Sequence, residues 1–364
     1  MIFGNVMNSR IFMIIVGFVG ITGSLIERPI ISSTALVFCL VSAYGALEDE
    51  FDSIVSSVVL LLAPFVIGIG TLLFGSVAAP IPRVFVVVTS FIGLIFISEF
   101  FGGPKKVYSI KHLVIPTGIL LIGYLISLLS TSKLVTFIAF GYDNFYHLAI
   151  FRNMTNSRML LVGGVGLMNV VNSGPLGSGA ALSHIGEVIG VNPQDIRQST
   201  QFFIVVSLLI PICIFFVVHK LIKLLLIDSS AWHATSLVAG VFFIGYPSHQ
   251  WFSGFLHSNS GILIVIVGLV TYMGVESITL KSALLSIVVI VLAFVYLIYV
   301  PVVILLLIKV VCFDMQKGSN GYRKRSIVFM SLALSITTYP VFLLSRSYGT
   351  GHLFVGGGSS KYRK

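Results

Sequence analysis

Charge is what this chain lacks. Only 9% of its 364 residues are Asp, Glu, Lys or Arg, whereas a soluble domain carries about a quarter. So few charges cannot cover a water-exposed surface, and a soluble globular domain is excluded. Acids are scarcest: 12 Asp and Glu stand against 22 Lys and Arg. Cysteine is nearly absent too. Cys39, Cys213 and Cys312 fall in or beside apolar runs, with neither metal-ligand spacing nor a disulfide framework, and they read as buried, inert thiols. No small-residue cleavage site precedes Glu27, so the first apolar run reads as a retained helix. There is no inverted repeat of the transporter kind. Low complexity is confined to 356–360.

What is abundant is apolar sequence. Hydrophobic residues make up 57% of the chain, in runs at 11–26, 30–47, 53–75, 84–101 and 112–129, then at 201–227, 231–246, 260–275, 283–311 and 327–344. A membrane span takes roughly 20 helical residues. The run 283–311 is too long for one upright span and carries Tyr299-Val300-Pro301 in its middle. Proline breaks a helix there, which predicts two shorter helices meeting in a bend. The fold class expected is all-α, a polytopic transmembrane bundle of about eleven spans with a long external loop. Residues 1–129 form transmembrane scaffold helices, 130–200 an extracytoplasmic loop with the candidate active site, 201–344 a second helix set, and 345–364 a Gly-rich basic tail.

The net charge of +10 and pI near 9.6 would suggest nucleic acid in a soluble protein. In a membrane protein they mark cytoplasmic loops and lipid headgroups, so the partners expected are membrane lipids and not nucleic acid. Arg10, the Lys105-Lys106-Lys111 and Lys220-Lys223 clusters, Lys281, and the Lys309–Arg325 cluster fall on one side if the chain turns at Pro301. That side is the cytoplasm by the positive-inside rule. It makes the protein multi-pass in the cell membrane with a cytoplasmic N-terminus, and it puts 130–200 outside. The turns Glu27-Arg28-Pro29 and Pro80-Ile81-Pro82-Arg83 also face outward but read as scaffold.

The densest polar segment is Phe140-Gly141-Tyr142-Asp143-Asn144-Phe145-Tyr146-His147, running on to Arg152. As a helix it puts Asp143 and His147, four apart, on one face. Its aromatic residues would lie along the membrane surface. An aromatic belt with a capping aspartate is the plain alternative.

This segment resembles the Asp-x-x-x-His pattern in the first large external loop of GT-C membrane glycosyltransferases. It is closest to large actinobacterial polytopic proteins of that superfamily. Ser173-Gly174-Pro175 through His184 is similar to a degenerate form of a second loop element in them. Gly245-Tyr246-Pro247-Ser248-His249 and the Pro301 bend resemble later outer-face elements. Such relatives continue past the last span, so the resemblance implies a shortened member. It implies sugar transfer from a polyprenyl-phosphate donor to a cell-envelope glycan or protein acceptor on the outer face. In that scheme Asp143 is the general base, and His147, Arg152, His184, Glu187, His249 and Arg346 are substrate-binding, with Arg158 a further phosphate candidate. Glu187 and Asp195 line an acceptor site or simply solvate the loop. The sequence specifies no cofactor, and a divalent cation is left open.

Three other readings stand beside this one. An outer-face polysaccharide polymerase or ligase would depend on arginines instead of a carboxylate. A transporter would need ionisable groups at mid-membrane depth, where this sequence has few, since Glu99 and His219 lie near span ends. An inactive membrane scaffold is the third.

Overall fold

The computed structural model describes residues 10–101, 142–160, 176–225, 256–312 and 325–338. Among them every regular element is a helix: α1 (Arg10–Leu25), α2 (Pro29–Glu50), α3 (Ser53–Val77), α4 (Arg83–Phe101), α5 (Tyr142–Ser157), α6 (Gly177–Ile189), α7 (Ile196–Leu225), α8 (Leu256–Gly274), α9 (Ile278–Val295), a 3₁₀ turn (Leu297–Tyr299), α10 (Val300–Cys312) and α11 (Arg325–Thr338). Four are long and apolar enough to cross a membrane: Pro29–Glu48 within α2, α3, α4 and α9. Phe12–Leu25, Ser258–Gly274, Leu297–Cys312 and Arg325–Thr338 are shorter apolar helices. The long apolar helices mark a membrane-embedded protein. The expected spans at 112–129 and 231–246 and the tail 345–364 lie outside the described residues.

Local chemistry sets the helix ends. Pro29 opens α2, where its missing N–H costs nothing. The Asp52 carboxylate caps α3, accepting from the N–H groups of Ile54 at 2.6 Å and Val55 at 2.8 Å. The overlong run 283–311 divides as its proline requires. Helix α9 stops at Val295, the 3₁₀ turn follows, and Pro301 sits in the first turn of α10. The Nζ atoms of Lys281, early in α9, and Lys309, late in α10, lie 5.3 and 5.0 Å from the centre of the Tyr272 ring. The two helices therefore run antiparallel.

This geometry defines a lysine end of the bundle. Lys220 Nζ donates to Ser53 O at 2.7 Å and Ser57 Oγ at 2.6 Å. Ser282 and Ser326 share a 2.8 Å hydrogen bond, which brings the start of α11 there as well. The opposite end holds the last residues of α1, α3 and α9 and the first residues of α2, α4 and α7.

Within that opposite end lies α6. At its start, a Cβ on Gly177 would approach Val295 Cγ2 to 2.7 Å, at the end of α9. At its far end, one on Gly190 would come within 2.6 Å of Ser24 O, at the end of α1. Along its middle, one on Gly68 of α3 would reach Ala180 O at 2.4 Å. All of α6 except Ile185 and Ile189 is buried. At 13 residues it is roughly 20 Å long, too short to span. Small side chains let neighbouring backbones close in where lipid supplies no hydrophobic drive, and Gly177, Ser178, Gly179, Ala180 and Ala181 allow this. The described parts of 130–200 are thus mainly helical, with α6 packed against the ends of α1 and α9 and against α3.

Gly190 ends α6 with φ +81°, a conformation that costs an L-residue roughly 1–2 kcal/mol. Gly190→Ala adds a clash with Ser24 O, and overpacking of this kind costs about 1–3 kcal/mol. The variant is expected to unfold clearly below wild type in a thermal melt in detergent. An unchanged melting temperature would show that α6 does not dock there.

Candidate functional site

Two helix ends built alike meet at the end opposite the lysines. Helix α1 closes with Arg28 N–H donating to Gly23 O at 2.8 Å and Glu27 N–H to Ser24 O at 3.1 Å. Helix α6 closes with Val191 N–H to Gly186 O at 2.9 Å and Gly190 N–H to Glu187 O at 3.2 Å. Both are the paired-bond stop that needs a left-handed residue just after the helix. In α6 that residue is glycine. In α1 it is Glu27, at φ +56°, an uncommon conformation for a side chain of that size. The two stops bind each other: Ser24 Oγ donates to Glu187 O at 3.0 Å, and Ser32 Oγ donates to Ile189 O.

Around this junction lies a cleft of about 240 Å³, lined by Glu27, Arg83, Thr155, Asn156, Arg158, Glu187 and the 191–194 turn. Two ion pairs define it. Arg83 Nη1 lies 3.4 Å from Glu27 Oε1, while its Nη2 donates to Ser24 O at 2.7 Å. Arg83 Nε is buried without a hydrogen-bond partner. On the other side, Arg158 Nε donates to Glu187 Oε1 at 3.2 Å. The Glu187 side chain is 5% exposed and that of Arg158 33%. Asn192 Nδ2 joins the two sides by donating to Glu27 Oε2 at 3.0 Å.

Arg158 also stands in the left-handed region, at φ +55°. It is held by its own N–H to Met154 O at 2.7 Å, and Leu160 N–H donates to Leu72 O and Ser76 Oγ of α3. Gly75 leaves room for the Arg158 carbonyl, which a Cβ would meet at 2.2 Å. Of the three non-glycine residues with positive φ among the described residues, two therefore carry two of the four charges of this cleft. Strained backbone of this kind persists where packing holds it, and it concentrates at functional sites.

Burial pushes the Glu187 carboxyl up to about 7, against the opposing pull of Arg158 and, more weakly, Arg83. Its place in the last turn of α6 adds to the burden on a negative charge. One turn earlier, burial lowers the His184 imidazole to about 4, so it stays neutral at neutral pH.

The sequence-expected site residues scatter around this geometry. Asp143 lies in the first turn of α5 and Arg158 just past its last, about 20 Å apart along the helix axis. His147 is buried rather than presented at a surface. Phe151, placed by the sequence in a surface belt, is fully buried against Phe202 and Phe203. The reason is that α5 packs across α6: Ile150 and Met154 both reach Gly179, whereas Phe151 meets Gly186. Arg152 is spent on structure, donating from Nε to Pro193 O at 2.7 Å and from Nη2 to Gln194 O at 3.3 Å. His184 is buried, its Nδ1 unpartnered. Glu187 is a buried, ion-paired group and does not solvate a loop, whereas Asp195 is exposed. Cys312 is an exposed thiol, unlike the buried Cys39. His249 and Arg346 lie outside the described residues. Glu27, Arg83 and Asn192 were not expected. Their only signal in the sequence was an acid and an arginine in two short turns on the same face.

Among the described residues no three His, Cys, Asp or Glu side chains gather as a metal site would require. At the cleft end the described cations are Arg28, Arg83, Arg152, Arg158 and Arg197, all arginines. Arginine presents a planar fork of donors suited to phosphate and carboxylate. Comparison with protein-family models, curated proteins and solved structures finds no match to this chain.

Proposed function

We propose that the protein is a multi-pass membrane glycosyltransferase of GT-C type, moving a sugar from a polyprenyl-phosphate donor to a cell-envelope glycan or protein acceptor on the outer face. The observation that carries this reading is the cleft in which Arg83 and Arg158 flank the buried Glu187 carboxylate, at the end of the bundle opposite the lysines. A lipid-borne phosphate is delivered at the membrane surface, where such a cleft would meet it. The two guanidiniums suit the departing phosphate, whose charge grows as the bond to the sugar breaks.

The chemistry needs one proton acceptor. The acceptor hydroxyl forms a new bond to the anomeric carbon and gives up its proton. The bond from that carbon to the phosphate oxygen breaks, and its electron pair leaves with the phosphate. Of the two cleft carboxylates, Glu187 is the one we assign to take the proton, because it is buried and bonded to Arg158, whereas Glu27 is 42% exposed. Its proton affinity near neutrality also suits a base working there. Asp143, which the motif resemblance favours for this role, is the comparison residue. The direct test is transfer of labelled sugar from a short-chain polyprenyl phosphate by the purified full chain in nanodiscs. No transfer to any acceptor extract would overturn the reading.

A polymerase or ligase acting on pyrophosphate-linked glycans is the second reading, favoured by the described cations of the cleft end being arginines. In that case pyrophosphate-linked glycan is consumed and polyprenyl-monophosphate sugar is not.

The proposal places the N-terminus and the lysine end in the cytoplasm. A reporter fused after Asn156, which lines the cleft, is then expected to report export. Cytoplasmic reporter activity at that junction would reverse the orientation.

A further inference from the structure

The cleft holds an imbalance. Its four charged groups are two guanidiniums, Arg83 and Arg158, and two carboxylates, Glu27 and Glu187. With all four ionised they sum to zero, and an anion gains little by entering. Yet the two sides differ. The Glu27 side chain is 42% exposed and water can solvate its charge, whereas that of Glu187 is 5% exposed and is hydrogen-bonded by the Arg158 guanidinium. Arg158 itself lines the cleft, is one-third exposed and bonds Glu187 through Nε. Arg83 supplies a further donor, the buried and unpartnered Nε. A buried carboxylate that loses its cation is costly as an anion and is relieved by taking a proton.

We propose that Arg158 exchanges partners: a phosphodiester monoanion entering the cleft takes the guanidinium from Glu187, and Glu187 picks up a proton as it is left. This rests on the cleft being a phosphate site, and not on which bond the protein makes there. The exchange balances. One negative charge enters, one proton follows it, and the cleft keeps its total. It also fits the surroundings of Glu187. The charged groups around it are Arg158 after α5, Arg83 at the start of α4 and Glu27 in the α1–α2 turn. On its own helix there is His184, which is neutral. Arg152 is engaged with the 193–194 carbonyls, and Arg28, Asp195 and Arg197 lie exposed outside the cleft. Arg158 is the only one of these that bonds the Glu187 carboxylate.

Two consequences follow for a phosphate site. Ligand binding strengthens as pH falls through neutrality, because protonated Glu187 no longer competes for Arg158. And Glu187 holds its proton more tightly once the phosphate is bound, so a turnover rate limited by Glu187 as base has its acid limb at higher pH than the apparent second-order rate.

The test uses two probes whose charge stays at one between pH 6 and 8: soluble dimethyl phosphate, and the phosphatidylglycerol headgroup. The full chain in detergent is titrated calorimetrically with dimethyl phosphate in two buffers of different ionisation heat. In parallel, the infrared band of protonated carboxyl is followed in nanodiscs of phosphatidylcholine with and without phosphatidylglycerol. Wild type is expected to take up about half a proton or more per anion at pH 8 and about 0.1 at pH 6, following the fraction of Glu187 ionised beforehand. The carboxyl band should grow with the probe and be missing in Glu187→Gln, which should bind about tenfold tighter than wild type at pH 8, with no pH dependence. Arg158→Ala should lose tenfold or more in affinity at both pH values. A response to dimethyl phosphate alone identifies a free anion as the ligand, and one to phosphatidylglycerol identifies a lipid headgroup; both support the exchange. Binding without proton uptake by wild type, uptake that survives in Glu187→Gln, or no response to either probe overturns it. Proton-linked binding without sugar transfer would retire the transferase reading and leave this inference standing, and transfer without proton-linked binding would do the reverse.

Discussion

Glu187→Gln is expected to lower sugar transfer by about 100-fold or more, the usual consequence of losing a general base, whereas Asp143→Asn should keep most of the activity. A 100-fold loss corresponds to about 2.7 kcal/mol of transition-state stabilisation. The glutamine keeps the size and shape of the side chain and can still accept from Arg158 Nε, so the cleft should survive. What it cannot do is take a proton from an acceptor hydroxyl. At subsaturating donor, wild-type transfer should also rise with pH through about 7 and fall roughly tenfold per unit below it, because only the ionised carboxylate is a base. That acid limb should vanish with Glu187. If instead Asp143→Asn abolishes transfer and Glu187→Gln does not, the base sits about 20 Å away along α5, and the cleft serves binding only. If neither matters but Arg83 and Arg158 substitutions do, the pyrophosphate-glycan reading replaces the transferase.

This contrast between Asp143 and Glu187 also shows where sequence reasoning succeeds and where it stops. The apolar runs, the division of 283–311 at Pro301 and the gathering of Lys220, Lys281, Lys309 and Arg325 at one end were all legible. Each depends on local composition, on one proline, or on a charge rule with a short range. The helix at 177–189 does not stand out in the sequence, because glycine, serine and alanine lower its hydropathy. Inside a membrane protein those residues instead permit close backbone approach, which Gly177, Gly68 and Gly190 show at its start, middle and end. The cleft was not legible. Glu27 and Arg83 are 56 residues apart, and Asn192 lies 165 from Glu27. They meet only because two helix stops dock through Ser24 and Ser32. Polar density in the sequence led to Asp143 and His147. Packing then buried His147, while Asn156 and Arg158, at and just past the other end of the same helix, line the cleft.

Arg158→Ala is expected to destabilise the protein by about 2 kcal/mol at pH 8 and by less than about 1 kcal/mol at pH 6. Removing one partner of a buried ion pair costs about 3–5 kcal/mol; the lower figure applies because Arg158 is one-third exposed and partly screened. The pH dependence follows from Glu187. Its folded-state proton affinity is raised from 4.5 to about 7, so between those values the folded state binds more protons than the unfolded one. Stability contributed by Glu187 is therefore greatest below about pH 4.5 and is lost as pH rises through 7. Arg158 is what limits that loss. Without it the Glu187 carboxyl moves higher still, the loss continues above pH 7, and the gap between variant and wild type opens on the alkaline side. At pH 6 Glu187 is mostly protonated in both proteins, and the variant lacks chiefly the packing of one arginine side chain. The left-handed backbone at Arg158 works slightly against this, since alanine is no better there than arginine. Arg158→Gly should accordingly be the milder change, by roughly 1 kcal/mol. The measurement is the melting temperature of wild type and both variants in one detergent at pH 6, 7 and 8. A deficit that is constant across pH would mean that Glu187 does not depend on Arg158 for its charge. In the double variant Arg158→Ala with Glu187→Gln, the alkaline deficit should disappear, because no buried carboxylate is then left unpaired.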